Sequence, residues 1–257
     1  MSAYAEFELD LTKAILDNLP SMLTSLAGEP LTLENVNRLP EATQGVYMLL
    51  EGGVPMYIGK TDASHGFRQR LQRHYYTLSA RKNLDLGEVS FKAVRIMVFT
   101  TINVESTLIK HFLGDDPLRW QNSGFGSNDP GHNREGQEPS KFDITHPINI
   151  DRPLESIDAG QYTLHSLLLH LKAYLPFDFR FETDLNSQGK PAKATVGHLD
   201  QRNATVNVPQ PGMSLRELFK EVFIPGLPAG WVATVFPGRM ILYKDQTPYR
   251  YATDQFK

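Results

Sequence analysis

Between Tyr47 and Glu105 the chain sets out two phenols, a guanidinium, an imidazole and a carboxylate. Tyr47 closes Gly45-Val46-Tyr47, Tyr57 opens Tyr57-Ile58-Gly59, and Arg70 and His74 stand four apart in Gly66-Phe67-Arg68-Gln69-Arg70-Leu71-Gln72-Arg73-His74. Glu105 follows in Val104-Glu105-Ser106-Thr107-Leu108-Ile109-Lys110. Phosphodiester hydrolysis draws on these groups: it needs an activated water, cations for the phosphoryl oxygens and relief of charge on the leaving oxygen. Arg70 suits a scissile phosphate, because its planar fork gives paired donors and stays charged. His74 suits an orienter or base near neutral pH. Glu105 is a hard oxygen ligand of the kind Mg2+ prefers, with water filling the other positions, and Mn2+ would substitute. A phenol is a poor base at its ordinary pKa of about 10, so neighbouring positive charge is expected to acidify Tyr47 or Tyr57. Lys60, directly after the second triplet, is a further candidate for priming the nucleophile.

Apolar spacing predicts the elements that hold these groups. Gly45 to Leu50 and Pro55 to Gly59 read as two strands of a hairpin turning at Glu51-Gly52-Gly53, which sends both tyrosines to one face. Phe67 to Leu78 reads as a helix presenting Arg70 and His74 together. Phe91 to Thr100 reads as a central strand, and Val104 to Leu113 as a helix capped by Asn103. Upstream, Leu9, Leu11, Ile15, Leu16, Leu19, Met22, Leu23 and Leu26 form an amphipathic helix pattern bent or split by Pro20. From Trp120 to Ile150 turn formers dominate, predicting a long ordered loop or arm, with Ile148-Asn149-Ile150 as a short strand closing the first domain.

The set resembles the signature of the GIY-YIG nucleases, with Val46 in place of the eponymous isoleucine. The fit covers residues 43 to 122. The resemblance implies an α+β fold, a small central antiparallel sheet flanked by helices, and hydrolysis of DNA phosphodiesters with one divalent metal per active site held by Glu105. It also implies that one of the tyrosines helps to deprotonate the nucleophile. Asn122 matches the asparagine that follows the glutamate helix in this family, with Asn128 as the competing position. The segment Gly124-Phe125-Gly126-Ser127-Asn128-Asp129-Pro130-Gly131, followed by Pro139-Ser140-Lys141-Phe142-Asp143 and Pro147-Ile148-Asn149-Ile150, is similar to the branch of type II restriction endonucleases that cut a GC-rich palindrome. That resemblance implies a homodimer, one active site per strand of double-stranded DNA.

Bulk composition is compatible with this and excludes several alternatives. The 257 residues can bury a real core, and the absence of cysteine removes disulfides, thiolate metal sites and a cysteine nucleophile. Apolar runs fall short of a membrane span and the start lacks a basic signal region, so a soluble cytoplasmic protein is expected. The net charge of -3 argues against indiscriminate coating of nucleic acid. Charge is concentrated, however. Lys60, Arg68, Arg70, Arg73, Arg81, Lys82, Lys92 and Arg95 face only Asp62, Asp85 and Glu88 in that stretch. Arg68, Arg73, Arg81, Lys82, Asn128 and Lys141 are the expected DNA contacts beyond the catalytic set.

The sequence divides into a nuclease domain over 1–152, with a DNA-contacting loop over 120–147, and a smaller α+β accessory module over 153–257. In the module, Leu164, Leu167, Leu168, Leu171 and Leu175 make a helix stripe. Phe177 to Thr183 and Ala204 to Val208 alternate as strands, Leu215 to Phe223 reads as a helix, and a hairpin turns at Pro237-Gly238. Two other functions compete with a restriction enzyme: a repair or recombination nuclease that reads DNA structure, and a non-catalytic DNA-binding module with a vestigial nuclease fold.

Overall fold

The computed structural model describes residues 3–6, 11–62, 64–97, 104–113, 118–126 and 134–257. Contacts gather them into two compact units, one from residues 1–79 and 85–125, the other from 80–84 and 126–257. The fold is α+β, with an antiparallel sheet and helices in the first unit and a further sheet-containing region towards the C-terminus.

In the first unit α1 (Leu11–Ser25) carries Pro20 inside it and buries Leu19 and Leu23, while Met22 and Leu26 of the expected stripe stay exposed. Then come β1 (Glu29–Pro30), α2 (Leu33–Asn37), β2 (Gly45–Glu51), β3 (Val54–Thr61), α3 (Phe67–Ser79), a 3-10 turn, β4 (Val89–Arg95) and α4 (Val104–Leu113). The sheet order is β1-β4-β2-β3, so β2 is central and β3 an edge. Gly52 and Gly53, with φ of 55° and 81°, make the two-residue turn between β2 and β3. The register slips between Leu49 and Leu50, which leaves Met56 as the extra residue of a bulge beside Pro55.

Strand alternation splits the sheet into two faces. Val46, Met48, Leu50 and Ile58 join Leu19, Leu23, Val104 and Leu108 in one core, sandwiched with α1 and α4. Lys92 donates to the Leu23 carbonyl at 2.9 Å, satisfying the end of α1. Residues 98–100 of the expected strand and the proposed cap Asn103 lie outside the described residues.

The second unit contains α5 (Lys141–Thr145), β5 (Gly160–Thr163), α6 (Leu164–Tyr174), β6 (Asp178–Phe181), α7 (Leu199–Asn203) and β7 (Thr205–Val208). It continues with α8 (Leu215–Glu217), which runs into a π-helical segment Leu218–Phe223, then β8 (Val232–Phe236), β9 (Arg239–Tyr243) and β10 (Asp254–Phe256). One sheet has the order β10-β8-β9-β6, with β6 parallel to β9, and β5 pairs with β7 separately. Leu164, Leu167, Leu168 and Leu171 of α6 are buried in this core, as the stripe predicts. Ile148 and Ile150 belong to the same core, and the expected strand there reduces to a single bridge between Ile148 and Arg81. They close the second unit, not the first.

Candidate active site

Tyr47 and Tyr57 emerge on the face of the sheet covered by α3. Their neighbours Val46, Met48 and Ile58 point to the other side, into the α1 and α4 core, so alternation fixes the direction of both phenols. Tyr47 stands directly opposite Gly59, and Leu49 opposite Tyr57, which puts the two phenols on a diagonal with ring centroids 6.1 Å apart. The glycines of the triplets are explained by close approach. A Cβ on Gly59 would lie 2.3 Å from the Tyr47 hydroxyl, and one on Gly45 would lie 2.2 Å from the Val94 carbonyl and 2.6 Å from the Phe67 ring.

From α3, His74 reaches down to the pair. Its Nε2 is 2.7 Å from the Tyr47 hydroxyl, in a buried hydrogen bond. Burial, with Arg73 and Arg70 adding to it, holds the His74 pKa down to about 3. The ring is therefore neutral at working pH and is not the near-neutral base that its ordinary pKa suggests. A neutral imidazole accepts from the phenol at Nε2 when its proton sits on Nδ1.

In the free protein neither phenol is acidified. Burial raises the Tyr47 pKa well above the ordinary value, the neighbouring Tyr57 adds to that, and Arg70 opposes it without prevailing. Tyr57 is raised too, first by burial and then by the charge of Glu105. Desolvation wins because a phenolate loses more hydration on this covered face than the nearby guanidinium charge returns.

Arg70 lies one turn before His74 on α3, and its Nε is buried with no hydrogen-bond partner among the described residues. Glu105 sits in the first turn of α4, where the helix dipole favours a carboxylate, and keeps 23% of its side chain exposed. Lys60 Nζ stands 3.6 Å from its Oε2. Tyr47, Tyr57, Arg70, His74, Lys60 and Glu105 thus gather at one place. A part-exposed carboxylate beside phenol oxygens is a donor set of hard oxygens and fits a hydrated divalent cation held by one protein ligand. Among the described residues no group of three or more acidic or histidine side chains could hold a metal ion.

Comparison with known families adds the deciding observation: residues 56–152 match the family model described as the Eco29kI GIY-YIG domain. That segment is similar to the GIY-YIG domain of a type II restriction endonuclease family. The match is less than half of the chain. It takes in the second triplet, α3 and α4, and begins after the Gly45-Val46-Tyr47 strand that completes the geometry. No curated protein matches the chain.

The remaining predicted residues of the matched segment are dispersed. Asn122 is exposed, in a left-handed turn with φ of 55°. Arg73 is exposed on α3 and Lys141 on α5, whereas Asn128 lies outside the described residues. Arg68 spends its guanidinium on Glu41 and on the Leu39 carbonyl, the latter at 2.8 Å. The Arg81 side chain is only 8% exposed: it pairs with Asp143 at 2.7 Å, donates to the His146 carbonyl at 3.1 Å and lies over the Phe142 ring. Lys82 pairs with Asp151 at 2.6 Å. In this structure Arg68 and Arg81 are internal ties, and a phosphate would have to compete with those partners.

Sequence reasoning missed three side chains of the matched segment. Phe125 stacks on His74 with centroids 4.8 Å apart and meets Tyr57 edge-on at 5.1 Å. Trp120 packs behind it at 5.3 Å, and Gln121 Oε1 accepts the Ile58 N–H at 3.0 Å. Their signal was faint: two aromatics flanking a run of turn formers, in a segment without periodicity.

Proposed function

We propose that this protein is a divalent-metal-dependent endonuclease of the type II restriction kind, acting on double-stranded DNA as a homodimer in the cytoplasm. The observation that carries the reading is the convergence of Tyr47, Tyr57, Arg70, His74, Lys60 and Glu105 around one end of the β2–β3 hairpin. The family match, and the restriction-enzyme description it bears, support the same reaction class. Magnesium is the expected ion, with manganese able to replace it.

Each group has a task. The Arg70 fork binds the scissile phosphate and neutralises its non-bridging oxygens. Tyr57, the more exposed phenol, offers its oxygen to the attacking water, and Tyr47, held by His74 behind it, fixes its position. Both phenols are protonated in the free protein, so Tyr57 takes the water's proton only after the positive charge entering with the substrate has released the phenol's own proton to solvent. Lys60 balances Glu105 until then. Glu105 would hold the divalent ion, which when bound supplies positive charge to the phosphoryl group and the leaving 3′ oxygen. Arg73, Lys82 and Lys141 are exposed or partly exposed cations suited to flanking phosphates, and Asn122 to a polar contact at the site margin.

Two-fold symmetry is the economical way to cut both strands with one site per chain, and it would make the target palindromic. We further propose that 1–152 is the nuclease domain and 153–257 an accessory module. The end of the family match at Arg152 supports this division, although residues 134–152 pack with the module. Among the described residues no helix is long and apolar enough to cross a membrane.

The experiment is digestion of unmethylated phage DNA by the full chain with magnesium, with manganese and with chelator. Discrete, reproducible bands with metal support a restriction endonuclease. A smear or cleavage only at branched DNA would point to a structure-reading nuclease, and intact DNA in every lane overturns the proposal.

A further inference from the structure

Strand β3 is the outer strand of its sheet, so the backbone groups along its free side need partners from elsewhere. The turn over 118–126 supplies two of them, one on each side of Tyr57. The Trp120 N–H donates to the Met56 carbonyl at 3.0 Å, and the Ile58 N–H donates to Gln121 Oε1 at 3.0 Å. Met56 is the bulge residue, the point where the ladder to β2 is interrupted and β3 is least constrained from its inner side. The turn therefore grips the strand where the hairpin grips it poorly.

The same turn returns Phe125 to the reacting groups. Phe125 is buried, meets Tyr57 edge-on, stacks on the His74 ring and rests on Trp120. Tyr47 has other restraints, namely Gly59 beneath it and the His74 hydrogen bond. Tyr57 is only partly buried, and a phenol in that setting keeps rotamer freedom unless a neighbour removes it. An aromatic edge on one ring and an aromatic face on the other define mutual orientation in a way that an aliphatic side chain of similar volume does not.

We propose that Phe125 is a positioning residue for DNA cleavage, setting the Tyr57 phenol and the His74 imidazole in register while Trp120 and Gln121 pin the backbone on both sides of Tyr57. This rests on the nuclease reading above and names a further part of that site. Phe125 touches neither phosphate nor metal in this scheme. It acts through the two rings it contacts, so its loss should slow the chemical step and spare DNA affinity.

The test compares the full-length wild type with Phe125→Leu and Phe125→Tyr. Single-turnover cleavage of a phage fragment that the wild type cuts is measured in magnesium, and binding of the same fragment is measured in chelator. Rates are normalised to the folded fraction from circular dichroism. Phe125→Leu is expected to cleave about 100-fold more slowly, the scale of a small misplacement of reacting groups, with unchanged affinity. Phe125→Tyr, which keeps the ring, should cleave at close to the wild-type rate. A normalised Phe125→Leu rate equal to wild type overturns the proposal and leaves the nuclease reading standing, as do equal losses in both variants. A wild type that cuts no DNA with either metal overturns the nuclease reading, and the assignment of Phe125 falls with it.

Discussion

Gly59 and Tyr47 face each other across the β2–β3 hairpin, and the phenol occupies the volume that a side chain at position 59 would fill. Tyr47 is itself 2% exposed and tied to His74, so it has little room to yield. The glycine of the second triplet is thus a packing requirement of the tyrosine of the first.

Gly59→Ala should accordingly displace the Tyr47 ring and break its bond to His74. Overpacking of this kind costs about 1–3 kcal/mol, which a urea titration would register as a lower midpoint at constant slope. Cleavage should fall along with it. Wild-type stability and rate in Gly59→Ala would contradict the packing account.

His74 gives the protein a defined pH signature. Its folded pKa of about 3 lies below the ordinary value of 6.5, so folding keeps the ring neutral and the unfolded chain binds the extra proton. The stability tied to this group is fully present above pH 6.5 and drains away as pH falls toward 3. The slope approaches about 1.4 kcal/mol per pH unit. His74→Gln has no such proton, so the stability difference between the two proteins should narrow as pH falls from 7 to about 4. Parallel stability curves would show that His74 titrates normally.

The basic residues should separate into two classes. Arg73→Ala should weaken DNA binding at low salt and reduce the salt slope by about 1 without altering the melting temperature. Arg81→Ala should instead cost about 3 kcal/mol of stability, because it strands Asp143 without its cation. Arg70→Lys should keep DNA binding and lose cleavage, since an ammonium does not reproduce a planar fork. Arg81→Ala with wild-type stability but weaker DNA binding would reassign that residue to the DNA surface.

Much of the first unit was legible because its elements obey strict periods. The apolar run Gly45 to Leu50 and the Gly52-Gly53 turn after it gave the β2–β3 hairpin and the shared face of both tyrosines, and helical spacing gave α3 and α4 within a residue of their observed bounds. The turn over 118–126 was illegible for the opposite reason. Gln121 serves as a hydrogen-bond acceptor for an edge strand distant in sequence, and nothing local announces that role. Charge was misread where partners are remote: Arg68 meets Glu41 and Arg81 meets Asp143, so counting cations over a window overstated the positive face. The phenol and imidazole pKa values depend on burial, and composition does not reveal which face of a strand is covered. In the second unit, β5, α7 and β10 escaped notice because each is short and carries a single large apolar residue, so no period shows, whereas the equally short β6 and β7 each hold two in alternation.

Glu105 tests the central claim most directly. Its carboxylate is the one side chain proposed to hold the divalent ion, and it lies at the surface of the cluster, where Glu105→Gln preserves shape and removes charge. With full-length protein, phage DNA and saturating magnesium, wild type should produce discrete fragments that chelator abolishes. Glu105→Gln should bind the same DNA with wild-type affinity and leave it uncut. Cleavage by Glu105→Gln at the wild-type rate, or cleavage by wild type in chelator, would contradict a single-carboxylate metal nuclease.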